Sequence, residues 1–369
     1  MNVDLNLSGG PFAAVDRAAL RHNLQVVRQT APKSKVLAVV KANAYGHGLV
    51  QVAQTLISAD GFGVARLREA IALREAGIGQ PIVLLEGVFS HAEFDAAARL
   101  NFELVVHSFE QIDALETWYG SKTLRVWCKI DTGMNRLGFR PEDFPVAWSR
   151  LNACRNVHSK PRVMTHLADA DERDDKRTAQ QIDQFNQLAK DLNVERSIGN
   201  SAGTLAWPGS RVEWVRPGLM LYGMSPFAKS VAADLNLQPA MTLTTPLIAV
   251  RGVKAGEQVG YGGAWQANSA SRVGIAAMGY GDGYPRHMKT GAPVLIRGKR
   301  ATIVGRVSMD MIAIDLSPLG ESIASTVMPG DTVVLWGREL PAEEVATFAD
   351  TIPYELVCGI SQRVAMGYR

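Results

Sequence analysis

From about residue 16 to 225 the chain alternates short apolar runs with stretches of helical periodicity, and after residue 240 the rhythm changes. The runs at 36–40, 62–65, 82–85, 103–106, 124–130, 162–166, 197–200 and 219–223 predict eight strands. Between them, Leu20, Leu24 and Val27 share one helical face, and Ile182, Phe185, Leu188 and Leu192 share another. Asp16 is placed to cap the first of these helices. Such alternation is the signature of repeated βα units and a parallel sheet. Eight strands suit a closed (β/α)8 TIM-like barrel. A doubly wound open sheet gives similar alternation, but no helix here opens on a dinucleotide fingerprint.

After residue 240 the apolar runs become β-branched and glycine-punctuated, at 241–252, 272–278, 294–307, 311–316 and 331–336. Residues 1–240 are therefore expected to form the barrel and residues 241–369 a mostly β C-terminal domain. The early run 12–15 suits a strand of either domain. A chain of 369 residues, 47% hydrophobic and 20% charged, is long enough for both cores.

Charge and cysteine content narrow the function. The 39 Lys and Arg are interspersed with 36 Asp and Glu for a net +3, so no basic face marks a nucleic-acid binder. The first residues lack a leader pattern and no apolar run reaches the ~18 residues of a membrane helix, so a cytoplasmic protein is expected. The sequon Asn6-Leu7-Ser8 then carries no meaning. Cys128, Cys154 and Cys358 fall in or beside apolar stretches without metal-like spacing, and are expected to be core thiols. No HExxH spacing points to a metal, and His91-Ala92-Glu93 lacks the cysteine pair of a zinc deaminase.

Several segments carry candidate chemistry. In Val36-Leu37-Ala38-Val39-Val40-Lys41 an apolar strand ends in a lysine, and strand C-termini of a parallel barrel face the active-site mouth. Desolvation there favours the neutral amine that forms a Schiff base, although a lysine snorkelling at a strand end looks the same in sequence. Asn200-Ser201-Ala202-Gly203 after the seventh strand and Arg216-Pro217-Gly218-Leu219 at the eighth are ordinary turns singly. Together they lie where barrels seat a phosphate. Arg136, in the glycine-rich loop after the fifth strand, suits a carboxylate, and His166 ends the sixth strand. Tyr261 rides a glycine-rich bend. Gly279-Tyr280-Gly281-Asp282-Gly283 mimics a dinucleotide loop, but Pro285 and its β context deny it the helix that a pyrophosphate needs.

Five segments in order resemble the alanine racemase family over essentially the whole length. They are Val40-Lys41-Ala42-Asn43-Ala44-Tyr45-Gly46-His47-Gly48, Asp131-Thr132-Gly133-Met134 with Arg136-Leu137-Gly138, Arg216-Pro217-Gly218, Gly260-Tyr261-Gly262 and Ser308-Met309-Asp310. The resemblance implies a pyridoxal 5'-phosphate enzyme, an isomerase that interconverts L- and D-alanine. The role so implied would be D-alanine supply for peptidoglycan precursors or D-alanine catabolism. Lys41 would hold the cofactor and act as base on the D enantiomer, and Tyr261 would be the opposing base for the L enantiomer. A tyrosine with the ordinary pKa of ~10 is a poor base at neutral pH, and His166 and Arg216 would supply the chain that stabilises its phenolate. Arg216 would also face the pyridine nitrogen, limiting long-lived carbanions and hence transamination. The phosphate would rest on Tyr45, Ser201, Gly218, Leu219 and Tyr354, and the substrate carboxylate on Arg136 and the Met309 backbone. Lys129 corresponds to a lysine often carbamylated in the family, which orients that arginine. Tyr261 and Met309 would reach a neighbouring subunit's site, implying a head-to-tail homodimer. Asn135 and Ser308 are variable positions, and a broader amino-acid racemase on the same scaffold is the nearest alternative.

Overall fold

A computed structural model of the chain describes residues 9–369; the sequon at Asn6 and the extreme N-terminus lie outside them. After β1 (Phe12–Val15) come eight strands, β2 (Lys35–Val39), β3 (Gly61–Val64), β4 (Ile82–Leu84), β5 (Phe102–Val106), β6 (Arg125–Lys129), β7 (Arg162–Met164), β8 (Arg196–Ser197) and β9 (Trp214–Val215). They pair in parallel and in sequence order, and β9 pairs back onto β2 to close the barrel. Its strands are apolar on both faces because the interior is packed and helices cover the outside. Leu37, Val83, Val105, Trp127, Met164 and Trp214 form a buried cluster drawn from six of the eight strands.

The N-terminal ends of these strands are tied by ion pairs. Arg162 bonds Glu103 and Glu195 at 2.6 Å each, and Lys35 reaches Glu195 at 2.5 Å. Arg162 also lies over the rings of Trp127 and Trp214. Those side chains occupy one end of the barrel. The C-terminal ends of the strands, opposite, carry the candidate chemistry.

The helical periodicity is realised. Leu20, Leu24 and Val27 are buried on the Arg17–Thr30 helix, and the Asp16 carboxylate accepts the Ala18 and Ala19 amides at 2.8 and 3.1 Å. Ile182 and Phe185 are buried on the Lys176–Ala189 helix, whereas Leu188 and Leu192 are half-buried. One expectation fails: residues 219–223 are not the eighth strand. That strand is β9, five residues earlier, and Leu219–Tyr222 is a fully buried 3-10 turn. Pro217 has no N–H for a ladder, though its carbonyl accepts the Val39 amide at 2.9 Å, so the chain leaves the sheet at Arg216. A four-residue apolar run reads alike as buried strand or buried turn.

The remaining strands are β10 (Met241–Val253), β11 (Gln258–Val259), β12 (Trp265–Gln266), β13 (Ser271–Ala276), β14 (Pro293–Ile296), β15 (Lys299–Val304), β16 (Ile312–Asp315), β17 (Thr332–Trp336) and β18 (Ala365–Tyr368). Their main sheet runs β13-β16-β15-β14-β17-β10-β1-β18, and a β13–β10 pairing closes six of these strands on themselves. The expected run 294–307 is a hairpin, β14 and β15, turning at Arg297 and Gly298 with φ of 51° and 72°. β1 pairs with β10 and β18, which assigns it to the β unit. The described chain accordingly divides into two compact units, one of residues 20–221 with 226–230 and another of 9–19, 222–225 and 231–369. Of the three cysteines, Cys128 and Cys154 are buried but Cys358 is exposed. It ends the short Pro353–Cys358 helix, whose buried side is taken by Leu356 and Val357.

Candidate active site

Lys41 stands two residues beyond β2, half-buried at the barrel mouth. The four residues after it, Ala42, Asn43, Ala44 and Tyr45, all have left-handed backbone, with φ of 54°, 54°, 54° and 51°. L-residues pay about 1–2 kcal/mol each for this conformation, so it persists only where the surroundings impose it. The Ala44 amide bonds the Val40 carbonyl at 2.8 Å, and the Ala42 amide bonds a Glu69 carboxylate oxygen at 2.8 Å. Leu49 N donates to the Asn43 side chain at 2.9 Å. His47 is fully buried, and burial lowers its pKa to about 4, so its neutral ring donates from Nδ1 to the Tyr45 carbonyl at 2.8 Å.

The turn carries the Tyr45 hydroxyl to Gly218. A Cβ at Gly218 would lie 2.5 Å from that oxygen, so the close approach requires glycine. Ser201 Oγ accepts the amides of Gly218 and Met220 at 2.9 and 3.3 Å. Tyr45, Ser201, Gly218 and the Leu219 turn thus meet in one cradle of hydroxyls and amides.

Arg216 follows β9 and is buried. It donates to Ser197 Oγ at 2.7 Å and to the carbonyls of Thr165 and Ile198 at 2.6 and 3.3 Å, and its Nη2 is 3.4 Å from His166 Nδ1. Among the described residues no carboxylate pairs with it. Burial lowers its pKa to about 10, which leaves it protonated at neutral pH. His166 lies two residues past β7, not on it. Burial first, then the charges of Arg216, Lys129, Arg136 and Lys41, hold its pKa well below the ordinary value, so it is neutral.

Lys129, the last residue of β6, is 8% exposed. Burial first, then Arg216 and Arg136, pull its pKa down to about 8 against the opposing pull of Asp131; Lys41 lowers it too. Lys41, Lys129, Arg136 and Arg216 therefore concentrate positive charge at one rim, a setting for an anionic ligand. Arg136 is exposed on a loop shaped by Asp131, whose carboxylate accepts the amides of Gly133 and Asn135 at 3.0 and 3.1 Å.

Three candidates lie in the β unit. Tyr261 is 67% exposed on the bend joining β11 to β12. Met309 is 53% exposed; its carbonyl accepts the Gly281 amide at 2.8 Å, and the Ser308 carbonyl accepts that of Tyr280 at 3.0 Å. The dinucleotide-like loop is thus a 3-10 turn bracing Ser308 and Met309. Arg363 bridges its Asp282 to Asp310 at 3.2 and 2.6 Å. Tyr354 is half-buried on the Pro353–Cys358 helix.

With these positions in view, comparison with known proteins is decisive. Residues 15–226 match the alanine racemase N-terminal domain and residues 240–368 the alanine racemase C-terminal domain. The chain belongs to the alanine racemase family. It is 51% identical to the alanine racemase of Aeromonas hydrophila over 357 residues, covering 97% of this chain and 99% of that one. Identity to the Vibrio cholerae alanine racemase is 49% over 356 residues, 96% and 97% of the two chains. The crystal structure of biosynthetic alanine racemase from Pseudomonas aeruginosa superposes with a TM-score of 0.93 at 43% identity, covering 98% and 99%. That of Bacillus anthracis alanine racemase with bound L-Ala-P gives 0.86 at 32%, covering 98% and 95%.

Sequence reasoning named the ends of the cradle but missed its supports. Gln181 donates to the His166 carbonyl at 3.3 Å and to Thr132 Oγ1 at 3.4 Å, and accepts the Ala168 amide at 2.9 Å, tying together the loops after β6 and β7. Its helix face was legible, but a buried glutamine on that face was not. Glu69 carries no sequence signal because Arg66, not Ser or Thr, precedes it by three residues, which hides the usual capping signature.

Proposed function

We propose that this alanine racemase family member interconverts L- and D-alanine using pyridoxal 5'-phosphate at the barrel mouth, with two copies of the chain building each site. The observation that carries the proposal is the convergence, on one rim, of a strand-end lysine, a hydroxyl and amide cradle, and a buried arginine with no carboxylate partner among the described residues. The cradle suits the cofactor's phosphate: Tyr45 and Ser201 offer hydroxyls, the 218–220 turn offers amides, and the missing side chain at Gly218 lets the Tyr45 hydroxyl come close to that turn. Lys41 would supply the amine that binds the carbonyl carbon, and Tyr354 is assigned to the phosphate with Leu219.

When bound there, the cofactor would supply an electron sink that makes the α-proton of an amino acid acidic. Once the substrate's amino group has taken the place of Lys41 on the carbonyl carbon, the freed Lys41 Nζ would exchange a proton with Cα on the face of the D enantiomer. The Tyr261 hydroxyl of the second copy exchanges one on the face of the L enantiomer. Inversion at Cα needs one acid/base group per face, which two side chains from different chain regions provide. Neutral His166 and protonated Arg216, 3.4 Å apart, form a chain suited to stabilising the Tyr261 oxygen when it gives up its proton. Arg216 holds its own proton too firmly to pass it to a pyridine nitrogen, which disfavours transamination.

Arg136 and the Met309 backbone are assigned the substrate carboxylate. Lys129, with its pKa near 8, has a neutral fraction at physiological pH that can add to carbon dioxide, forming an N–C bond and releasing a proton. The carbamate anion would face Arg136 and lock its position. The exposure of Tyr261, Tyr280, Met309 and Met311 in the β unit supports coverage by a second copy.

The purified protein is expected to be yellow, to lose its visible band on borohydride reduction, and to bring either enantiomer of alanine to an equal mixture in polarimetry. A colourless protein that turns over alanine without added cofactor contradicts the proposal.

A further inference from the structure

Two consecutive helices on the barrel begin with the same device. The Glu93 carboxylate folds back to accept the amides of Phe89 and Ser90 at 2.8 and 3.1 Å, at the start of the His91–Leu100 helix. The Glu69 carboxylate does the same one βα unit earlier, accepting Ala65 and Arg66 at 2.9 and 3.0 Å at the start of the Leu67–Glu75 helix. In both, a single oxygen, Oε2, takes both amides. The difference lies in the other oxygen. Glu69 Oε1 accepts the amide of Ala42, the residue directly after Lys41, at 2.8 Å.

Ala42 opens the run of four left-handed residues that ends at Tyr45. Such a run does not hold its shape unaided. Its carbonyl accepts the Gly46 amide at 3.0 Å, so fixing the Ala42 peptide also fixes the closing turn. A bond from an amide to a carboxylate is stronger than one between neutral groups, and here it fastens the turn to a helix start that is itself braced by an Arg66–Glu86 ion pair at 2.8 Å.

We propose that Glu69 is a positioning residue for Lys41: one carboxylate oxygen caps the Leu67–Glu75 helix while the other clamps the left-handed turn that aims Lys41 and Tyr45. The significance of the clamp rests on the cofactor-binding role assigned to those two side chains. The geometry itself does not.

The test compares Glu69→Ala with Glu93→Ala in the full-length, cofactor-free chain. Both lose a carboxylate that accepts two amides at a helix start, although Ser90 still caps the His91–Leu100 helix, so a purely structural role predicts a fall in melting temperature in each, larger in Glu69→Ala, and the same behaviour elsewhere. Two readouts separate them. Amide hydrogen exchange at Ala42, Ala44 and Gly46 is expected to accelerate roughly tenfold or more in Glu69→Ala and to stay at the wild-type rate in Glu93→Ala. The rate at which added pyridoxal phosphate develops its lysine-bound absorbance is expected to fall by a similar factor in Glu69→Ala alone. Equal values for the two variants in both readouts would overturn the proposal. If the wild-type chain itself develops no absorbance, the cofactor assignment fails, and the exchange data still decide whether the clamp exists. Should Glu69→Ala not fold, the wild-type chain suffices: an Ala42 amide exchanging as fast as an unbonded surface amide overturns the clamp, and a protected one supports it.

Discussion

Lys129 is a cation in a place that disfavours cations, and its pKa near 8 has a measurable consequence. Between about pH 8 and 10.5 the unfolded chain keeps this proton while the folded chain has lost it, so unfolding takes up a proton and stability rises with pH across that window. Below pH 8 the folded state bears the full cost of the buried charge, roughly 3 kcal/mol for a shift from 10.5 to about 8. Protein stripped of carbon dioxide is therefore expected to melt higher at pH 9 than at pH 7.5, with Lys129→Gln flattening that slope. Added bicarbonate should raise the melting temperature of the wild type at pH 7.5 but not of Lys129→Gln. An identical slope in both proteins contradicts the assignment. Gly218 gives a second prediction at this scale. A Cβ there would lie 2.5 Å from the Tyr45 hydroxyl, so Gly218→Ala should weaken pyridoxal phosphate binding by roughly tenfold or more, with little change in melting of the cofactor-free chain. Equilibrium titration of cofactor absorbance reads that change directly.

The Asp131–Gly138 loop shows how an element aims a side chain it does not bury. Gly138 has φ of 127°, and a Cβ there would lie 2.7 Å from the Asp131 amide, so the loop carrying Arg136 returns directly over its own start. Gly138→Ala is expected to raise the KM for alanine severalfold while leaving cofactor affinity intact. A change in cofactor affinity with KM unmoved would show that the loop serves another group. Elements were also where the sequence was least legible. Lys41, Arg136, His166 and Ser201 could be found because each ends or follows a strand whose apolar run is plain, whereas Arg216 stands beside the misplaced eighth run and in fact follows the two-residue β9. The left-handed turn from Ala42 to Tyr45 could not, since Lys-Ala-Asn-Ala-Tyr reads as ordinary helix former. The misplaced eighth strand has a similar cause: Leu219 to Tyr222 is as apolar as a barrel strand, and only the pairing of β9 with β2 shows that closure has already happened. The apolar neighbours of Cys358 suggest a core thiol, yet at the end of the six-residue Pro353–Cys358 helix it is exposed.

At the scale of the whole molecule, strand–helix alternation followed by β-branched runs made a barrel and a β domain legible. The membership of β1 in the β unit was not, because it is set by hydrogen bonds to β10 and β18, hundreds of residues away. The proposed homodimer makes a prediction at this scale. Lys41→Ala and Tyr261→Phe subunits, each inactive alone, are expected to regain up to about a quarter of wild-type activity when mixed and allowed to exchange. Half of the assembled dimers are then hybrids, each with one intact site. No recovery despite exchange, verified by mass, contradicts shared sites. The central claim, that Lys41 and Tyr261 are opposed bases at Cα, is tested most directly by following α-deuterium incorporation into L- and D-alanine in D2O. In Tyr261→Phe, exchange of the L enantiomer should collapse while D-alanine still exchanges through Lys41. Unchanged exchange of both enantiomers in Tyr261→Phe would contradict the account.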